Sequence, residues 1–368
     1  MPHIHVLVSN DLQHDQRVAK VCDTLLGLGY TITLVGRKMK GSTQMSRPYE
    51  IKRFELIFHK GILFYAALNF RLFFYLLFKK TDAILANDLD TLLPAYLISR
   101  LRSKKLYYDS HEYFTEAEGL TGRAFQKSIW LAIESRIFPK LKHVYTVNES
   151  IASIYRKQYG VDVKVVRNIP PLKSISEVKS RIELSLPEDK KIILLQGAYI
   201  DPDRGGVELV LAMQWVESTL LLIIGSGRDL EKIKCLVSEL NLADKVLILP
   251  KMPADQLIQY TSNVDLGLSL DKPLHLNYTL SLPNKLFDYI HASVPVLVSD
   301  LPELRAIVNQ YQVGMLIDEV TPEKLSLSIK NALNHADYSL WKANCIKAQV
   351  ELNWQKESET LKQIYKTS

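Results

Sequence analysis

The chain has 368 residues, of which 47% are hydrophobic and 23% charged, an average globular composition that excludes a disordered or low-complexity protein. Its three cysteines are far apart and form no Cys-x-x-Cys pair, which excludes a disulfide framework and a cysteine zinc site and favours a reducing compartment. The first residues show no basic segment followed by a long apolar run. We therefore expect no signal peptide and a cytoplasmic protein of about two domains.

Charge is distributed unevenly along the chain. Residues 1–170 contain 25 Lys and Arg against 15 Asp and Glu, whereas the remainder contains 21 against 25. A basic first half predicts an anionic partner, which could be nucleic acid, anionic lipid or a phosphorylated substrate. No zinc-finger spacing or RNA-binding aromatic motif occurs, so we expect no nucleic-acid partner.

Short apolar segments alternate with helical patterns, which is typical of parallel sheets flanked by helices. Strands are predicted in the first half at 3–8, 31–36, 83–88, 105–110 and 144–148. A polar, proline-containing linker is predicted at 171–190, and further strands at 191–197, 219–227, 245–252, 264–270, 294–300 and 313–318. The pattern predicts two doubly wound α/β domains, 1–170 and 191–338, with a ligand cleft at the carboxyl ends of both sheets. A last helix, about 339–366 within the segment 339–368, is predicted to pack back on the first domain.

The apolar stretch 61–78 is bounded by Lys60 and by Lys79 and Lys80. Its length is the lower limit for crossing a bilayer, and Arg71 near its middle disfavours insertion. We expect a core helix. A helix docked on a membrane surface is the main alternative, because the segment is aromatic and its ends are basic.

The segment 277–303 carries the clearest chemical pattern. Pro283 precedes an apolar-periodic helix whose first backbone N–H groups could bind an anion, and Lys285 adds a positive charge in its first turn. Asp288 is three residues further on and shares a helix face with Lys285. These residues suit a nucleotide diphosphate and its ribose, and they equally suit a surface helix with an ordinary ion pair.

Two glycine turns follow strands in the second half. Gly197 opens GAYIDPDRGG, where Arg204 could clamp a phosphate or lie on the surface of a plain turn. Gly225 opens GSGRDL, only a fragment of the dinucleotide fingerprint, and this disfavours hydride chemistry.

Polar residues also follow strands in the first half. His111 and Glu112 come directly after the strand 105–110, where side chains face the cleft or simply belong to the loop. Asp15 and Arg17 follow the first strand and reach the cleft or cap a helix. The segment NDLD at 87–90 predicts a helix N-cap more readily than a metal site.

Taken together, these motifs resemble group 1 glycosyltransferases, the retaining GT4-type family with the GT-B fold of two facing Rossmann-like domains. The resemblance rests on SLPNKLFDYIHASVPVLVSDLPE, GAYIDPDRGG, GSGRDL, VDLGLSL, VNES, DSHE and NDLQHDQRVAK, which occur in family order over nearly the whole chain. It implies transfer of a sugar from a nucleotide-sugar, UDP- or GDP-linked, with retained configuration and with no cofactor or required metal ion.

The resemblance also implies roles for particular residues. Asp288 matches the second carboxylate of the family's Glu-x7-Glu signature and would hold the donor ribose. Arg204 would bind the diphosphate, and His111 would lie beside the transferred sugar. We expect His111, Arg204 and Lys285 to be the catalytic residues. The remaining donor-binding candidates are Asn277, Ser281, Leu282, Pro283, Asn284, Gly197 and Gly225, and the candidate acceptor-side residues are Asp15, Arg17 and Glu112.

The sequence departs from the family pattern at three places. Leu280 stands where the first signature Glu is expected, Asp288 is shorter than the second signature Glu, and Ser293 stands where Gly is usual. The alternatives to a transferase are a non-catalytic membrane-associated scaffold and a nucleotide-sugar epimerase. The basic half and the aromatic helix favour a glycan or lipid-linked acceptor in cell-surface polysaccharide synthesis, such as capsule or lipopolysaccharide, with the inner face of the cell membrane as the expected location.

Overall fold

The computed structural model of the protein describes residues 1–13, 15–172 and 178–366. It divides into two compact units. The first comprises 1–168 together with 355–368, and the second comprises 169–354. The predicted linker, 171–190, therefore belongs to the second unit instead of separating the two units. Its residues 173–177 lie outside the described part of the chain.

The first unit is built on a seven-stranded parallel sheet in the order β3-β2-β1-β4-β5-β6-β7. Its elements are β1 (His3–Leu7), α1 (Gln16–Gly27), β2 (Thr31–Arg37), β3 (Glu50–Phe54), α2 (Gly61–Phe78), β4 (Ala83–Asn87), α3 (Leu89–Leu101), β5 (Lys105–Ser110), α4 (Ala124–Ile137), β6 (His143–Thr146), α5 (Glu149–Tyr159) and β7 (Val163–Val165).

The five predicted strands of this half are present, and both edge strands were missed. β3 has the sequence EIKRF with alternating exposed residues, and β7 has only three residues. Neither forms the continuous apolar run that marks a buried parallel strand, because an edge strand is covered on fewer sides.

The second unit has a six-stranded parallel sheet in the order β10-β9-β8-β11-β12-β13. Its elements are β8 (Lys191–Gly197), α6 (Gly206–Ala212), β9 (Thr219–Gly225), α7 (Leu230–Glu239), β10 (Val246–Pro250), α8 (Ala254–Thr261), β11 (Leu266–Ser269), α9 (Leu276–Thr279), α10 (Asn284–His291), β12 (Val296–Ser299), α11 (Pro302–Tyr311), β13 (Gly314–Ile317), α12 (Pro322–Leu333) and α13 (Tyr338–Glu351).

Both sheets are doubly wound, as the alternation of strands and helices predicts. In β8, Ile192 and Leu194 pack in one buried cluster while Ile193 and Leu195 pack in another. Successive side chains of a strand point to opposite faces, so the two clusters lie on the two sides of the sheet. The strand order reverses between β1 and β4 and between β8 and β11, which are the positions where open α/β sheets bind ligands at their carboxyl ends.

Two helices, rather than the single predicted one, end the described chain. α13 is followed by α14 (Trp354–Lys366), and the break falls at Leu352 and Asn353. The Asn353 side chain donates to the carbonyl oxygens of Gln349 and Val350 at 2.8 Å each, so it satisfies the last carbonyls of α13 in place of further helical N–H groups. α13 belongs to the second unit, and α14 from Gln355 onward belongs to the first.

α2 is not the core helix that its composition predicts. Only 22% of its residues are buried. It is the one helix of the described residues that is long and apolar enough to cross a membrane by length and composition.

Candidate functional site

In the first unit, polar side chains converge at the carboxyl ends of two neighbouring strands. β4 ends at Asn87 and β5 carries Asp109, and both side chains are buried. The Asp88 backbone N–H donates to the Asp109 carbonyl oxygen at 2.8 Å, so the chain leaving β4 is fixed against β5. His111 lies in the loop after β5 and completes the group.

His111 is held between two carboxylates. Its Nδ1 lies 3.4 Å from Asp88 Oδ2 and its Nε2 lies 3.2 Å from Asp109 Oδ2. Burial alone would lower the pKa of His111, but the charges of Asp88 and Asp109 outweigh burial and raise that pKa to about 9. Burial raises the pKa of Asp88 to about 7, whereas Arg17 and His111 lower the pKa of Asp109 and keep it ionised. The ring therefore favours the imidazolium form at neutral pH, which can donate hydrogen bonds and attract an anion.

Asp88 has an unusual backbone for a residue with a side chain, with φ 60° and ψ 167°. This conformation is almost confined to glycine and costs of order 1–3 kcal/mol, so the surrounding structure must enforce it. Asp88 occupies the N-cap position of α3, but its side chain makes no capping bond to that helix. Its Oδ1 instead accepts the backbone N–H of His111 at 2.7 Å, so the predicted N-cap role of this segment is replaced by a contact with the histidine.

Asp109 has a second partner in Arg17. The guanidinium donates to both carboxylate oxygens at 2.9 and 2.7 Å, and its remaining nitrogen donates to the Val166 carbonyl oxygen at 2.7 Å. Arg17 is 3% exposed, so this predicted acceptor-side residue is sequestered and acts on the site through Asp109. A bidentate pair of this kind fixes the orientation of the carboxylate.

The other two predicted acceptor-side residues have different placements. Asp15 is the N-cap of α1, where its Oδ1 accepts the Val18 N–H at 3.0 Å and its Oδ2 accepts from Asn10 at 2.7 Å. The capping alternative is therefore the one that the structure shows for Asp15. Glu112 is half-buried beside His111 in the loop after β5.

In the second unit, two glycines form the close approach of β8 and β9. Gly197 and Gly225 are paired residues at the ends of these strands. A Cβ on Gly225 would lie 2.0 Å from the Gly197 carbonyl oxygen, so only glycine fits there. The two predicted phosphate-binding turns thus start side by side.

The centre of the second site is a buried aspartate that sequence reasoning missed. Asp271 follows β11 and is 1% exposed. Its Oδ1 pairs with Nη1 of Arg204, and its Oδ2 lies 3.7 Å from Nζ of Lys285 and accepts from Ser269 Oγ at 2.8 Å. The two predicted catalytic cations are therefore held on opposite oxygens of one carboxylate.

Burial shapes the protonation of this triad. Burial alone would raise the pKa of Asp271, yet Lys285 and Arg204 outweigh it and lower that pKa. Burial, together with the charge of Arg204, lowers the pKa of Lys285 despite the attraction of Asp271. With both cations protonated, the triad carries one net positive charge. The Arg204 side chain is 23% exposed and the Lys285 side chain is 11% exposed. The Arg204 guanidinium carbon also lies 4.8 Å from the ring centroid of Tyr278, which limits its movement.

The predicted donor-binding segment forms two short helices, α9 and α10, and Lys285 is the second residue of α10. Asn277 lies in α9, Ser281 donates to the Tyr278 carbonyl oxygen at 2.9 Å, and Leu282 packs against the core. Pro283 is the N-cap of α10, and Asn284, its first residue, is exposed. The first N–H groups of a helix have no partner within it, so this end can offer donors to an anion.

Asp288 is one turn into α10, on the side facing β8. Its Oδ2 accepts from the Gln196 Nε2 at 3.1 Å, and Gln196 in turn accepts from Thr261 at 2.8 Å. The next residue, Tyr289, donates to the carbonyl oxygens of Leu194 and Leu268 and fixes α10 on the sheet. The position of Asp288 is thus set by both its side chain and its helix.

Leu280, at the place of the missing signature Glu, is buried and 8% exposed.

Sequence reasoning missed Asp88, Asp109 and Asp271 as members of these groups. Asp88 ends a predicted strand, Asp271 directly follows one and Asp109 is the penultimate residue of one, and that position is the one available signal. Among the described residues, no group of three or more His, Cys, Asp and Glu side chains could hold a metal ion.

Comparisons with known proteins find glycosyltransferase family models that match both halves of the chain. The family model described as Glycosyltransferase Family 4 matches residues 16–171, and that described as Glycosyl transferases group 1 matches 177–348. The D-inositol 3-phosphate glycosyltransferase of Acidothermus cellulolyticus is 21% identical over 226 residues, which are 56% of this chain and 49% of that protein. The chain therefore spans about half the length of this curated relative.

Solved structures resemble the whole chain. The sucrose-phosphate synthase of Thermosynechococcus elongatus has a TM-score of 0.78 at 18% identity, covering 100% of this chain and 99% of that one. Anabaena HepE in complex with UDP and glucose has a TM-score of 0.73 at 13% identity, covering 100% of both chains. From the two family matches and the shared fold, we conclude that the chain belongs to the group 1, GT4-type glycosyltransferases and has the GT-B fold.

Proposed function

We propose that the protein transfers a sugar from a UDP- or GDP-sugar to a glycan or lipid-linked acceptor in cell-surface polysaccharide synthesis, with retained configuration. The observation that carries this proposal is the pairing of Arg204 and Lys285 with one buried aspartate, Asp271. Two cations fixed on one carboxylate are spaced closely enough to share a diphosphate. The HepE structure with UDP and glucose supports a nucleotide-sugar donor, and the named activity of the inositol-phosphate relative supports sugar transfer.

The difficult event in such a transfer is departure of the nucleotide diphosphate. The bond from the anomeric carbon to the diphosphate oxygen breaks while a bond to the acceptor oxygen forms on the same face. The acceptor proton goes to the departing phosphate oxygen. Negative charge grows on the diphosphate, and fixed cations and helix N–H groups at that place lower the barrier. Arg204, Lys285 and the start of α10 supply these groups, so the mechanism that we propose needs no metal ion or other cofactor.

His111 has a different proposed part. Its charged ring, clamped by Asp88 and Asp109, is suited to donate a hydrogen bond to a sugar hydroxyl or to attract a phosphate group. It is not suited to act as the base that removes the acceptor proton, because its pKa is raised to about 9. This supports a mechanism in which the leaving phosphate takes that proton.

Calorimetric titration with UDP and GDP, followed by a transfer assay with the donor that binds, tests the proposal. We expect Arg204→Ala and Lys285→Ala each to reduce kcat by on the order of 10²–10³, the scale for one lost charge-stabilising group. The matched control is Lys324→Ala, because Lys324 lies in the same unit in an exposed pair with Asp318. Wild-type turnover in both site variants, or no binding of either nucleotide at millimolar concentration, would refute the assignment.

A further inference from the structure

The outer face of α2 is an unusually apolar surface. Phe70 is 67% exposed, Phe74 is 53% exposed and Phe78 is 80% exposed. They belong to a row at four-residue spacing that starts near the beginning of the helix and ends at its last residue, namely Ile62, Ala66, Phe70, Phe74 and Phe78. Contiguous exposed apolar surface of this kind marks an interaction site in a folded protein.

The core of the unit does not use this row. The buried residues of α2 form a second row at the same spacing, Phe64, Leu68, Leu72 and Leu76. The two rows are offset by two residues, which is roughly 200° around a helix, so they lie on opposite sides. The inner row fixes α2 to the unit, and the phenylalanines of the outer row are left to solvent.

The apolar surface continues beyond the helix. Ile57 is 89% exposed and Phe58 is 43% exposed, and both line a shallow surface depression together with Lys60, Ile62 and Leu63. Gln126, near the start of α4, also lines this depression, and its neighbour Phe125 is 69% exposed. We call the outer row of α2 together with Ile57, Phe58 and Phe125 the α2 face.

Positive charges outnumber negative ones around the α2 face, although the exposed Glu55 and Asp82 lie just beyond its two ends in the sequence. Residues 56–80 contain no Asp or Glu, but they include Lys60, Arg71, Lys79 and Lys80. All four of these side chains are exposed. Lysines therefore flank the row of phenylalanines at both ends and an arginine lies beside its middle. Such a surface complements an anionic partner that is apolar beneath its charges.

We propose that the α2 face docks the protein on an anionic phospholipid bilayer, with α2 lying in the plane of the membrane surface. Phenylalanines would enter the boundary between headgroups and acyl chains while the four cations contact lipid phosphates. This inference goes beyond the proposed function and does not rest on it. In combination with that function, it would bring the first unit to a lipid-linked acceptor.

The structure disfavours two alternatives to docking on a membrane surface, namely a membrane-spanning α2 and a second copy of the chain. A membrane span would carry Arg71 in the bilayer, and it would need α2 to leave the unit. Asn69 ties α2 to α3 by donating to the Asp90 carbonyl oxygen at 2.9 Å. A second copy of the chain would place the same row of cations against itself across a two-fold axis, because such an interface uses one patch twice.

Flotation of the full chain with vesicles tests the proposal. The vesicles are phosphatidylcholine alone, or a 7:3 mixture with phosphatidylglycerol, in low and high salt. We expect binding to the mixed vesicles that weakens in high salt. Phe70→Ser/Phe74→Ser/Phe78→Ser should reduce partitioning at least tenfold through lost apolar area. Lys79→Gln/Lys80→Gln should reduce it on the order of 10–30-fold, from about fivefold for each lysine near a charged surface.

Matched controls come from α13, which also carries exposed residues of both kinds. Leu340→Ser/Ile346→Ser changes exposed apolar side chains, and Lys342→Gln/Lys347→Gln removes two exposed lysines. Both controls should bind vesicles as the wild type does. The substituted side chains are exposed, so each variant should keep its circular dichroism spectrum and melting temperature.

Three results would overturn the proposal. The first is absence of binding to mixed vesicles in low salt, and the second is binding that the α2-face variants leave unchanged. The third is a dimer in light scattering that the triple Phe variant converts to a monomer while vesicles are not bound, since a second copy would then be the occupant. Nucleotide titration of the same samples keeps this outcome separate from the donor assignment.

Discussion

The protonation of His111 offers the sharpest test of the first-unit site. The pKa of this histidine rises from 6.5 to about 9 because two carboxylates outweigh its burial. Each pKa unit corresponds to about 1.4 kcal/mol, so the charged ring is stabilised in the folded protein by about 3 kcal/mol relative to the unfolded chain. A raised pKa means that this contribution is lost as the pH rises through 9. It also weakens as the pH falls below about 7, because Asp88 becomes protonated there.

Asp88→Asn removes one of the two carboxylates and keeps the shape of the side chain. The charge of Asp88 is the largest single effect that raises this pKa. We therefore expect the pKa of His111 in Asp88→Asn to fall from about 9 toward its ordinary value.

NMR titration of the histidine ring signals measures this shift, and His111→Gln identifies the resonance among the nine histidines. Asp15→Asn is the matched control, since asparagine caps a helix as well as aspartate does and Asp15 contacts α1 rather than His111. Titration near pH 6.5 in the wild type would refute the clamped imidazolium. A His111 pKa that Asp88→Asn leaves unchanged would also refute the clamped imidazolium.

Two further substitutions test the second unit. Asp271→Asn leaves two half-buried cations without their carboxylate, which costs up to about 3–5 kcal/mol and should lower the melting temperature of this unit by up to roughly 6–20 °C in calorimetry. The exposed Asp318→Asn should change it little, and equal melting of both variants would contradict the buried triad. Gly225→Ala places a methyl group 2.0 Å from the Gly197 carbonyl oxygen, so it should weaken UDP or GDP binding at least tenfold by forcing the two strand ends apart. Gly27→Ala, whose added methyl meets nothing within 4 Å, is its control, and equal nucleotide affinities would show that the close approach is not needed.

The central strands and the predicted donor-binding segment could be recognised from the sequence. Strands such as KIILLQG and TLLLIIGSG are buried on both faces, so their apolar runs are continuous and visible. Arg204, Lys285 and Asp288 were found because each lies in a segment with a recognisable order of glycine, proline and charge. The residues of each pattern are close together in the sequence, so the pattern can be recognised without knowledge of the fold.

The partners of those residues could not be predicted. Asp271 lies 67 residues from Arg204 and Asp109 lies 92 residues from Arg17, so nothing in the sequence connects either pair. The strained backbone of Asp88, which turns its carboxylate from the helix to His111, likewise depends on contacts with β5.

For this protein the sequence by itself determined the alternation of strands and helices, the family and the charged residues of the predicted donor-binding segment. Only the tertiary structure decided which carboxylates neutralise those charges and that the apolar segment 61–78 is a surface helix instead of a core helix. The physical reason is that hydrophobicity and turn chemistry act between neighbours along the chain. Ion pairing and burial depend instead on which distant strands the fold brings to the same edge of a sheet.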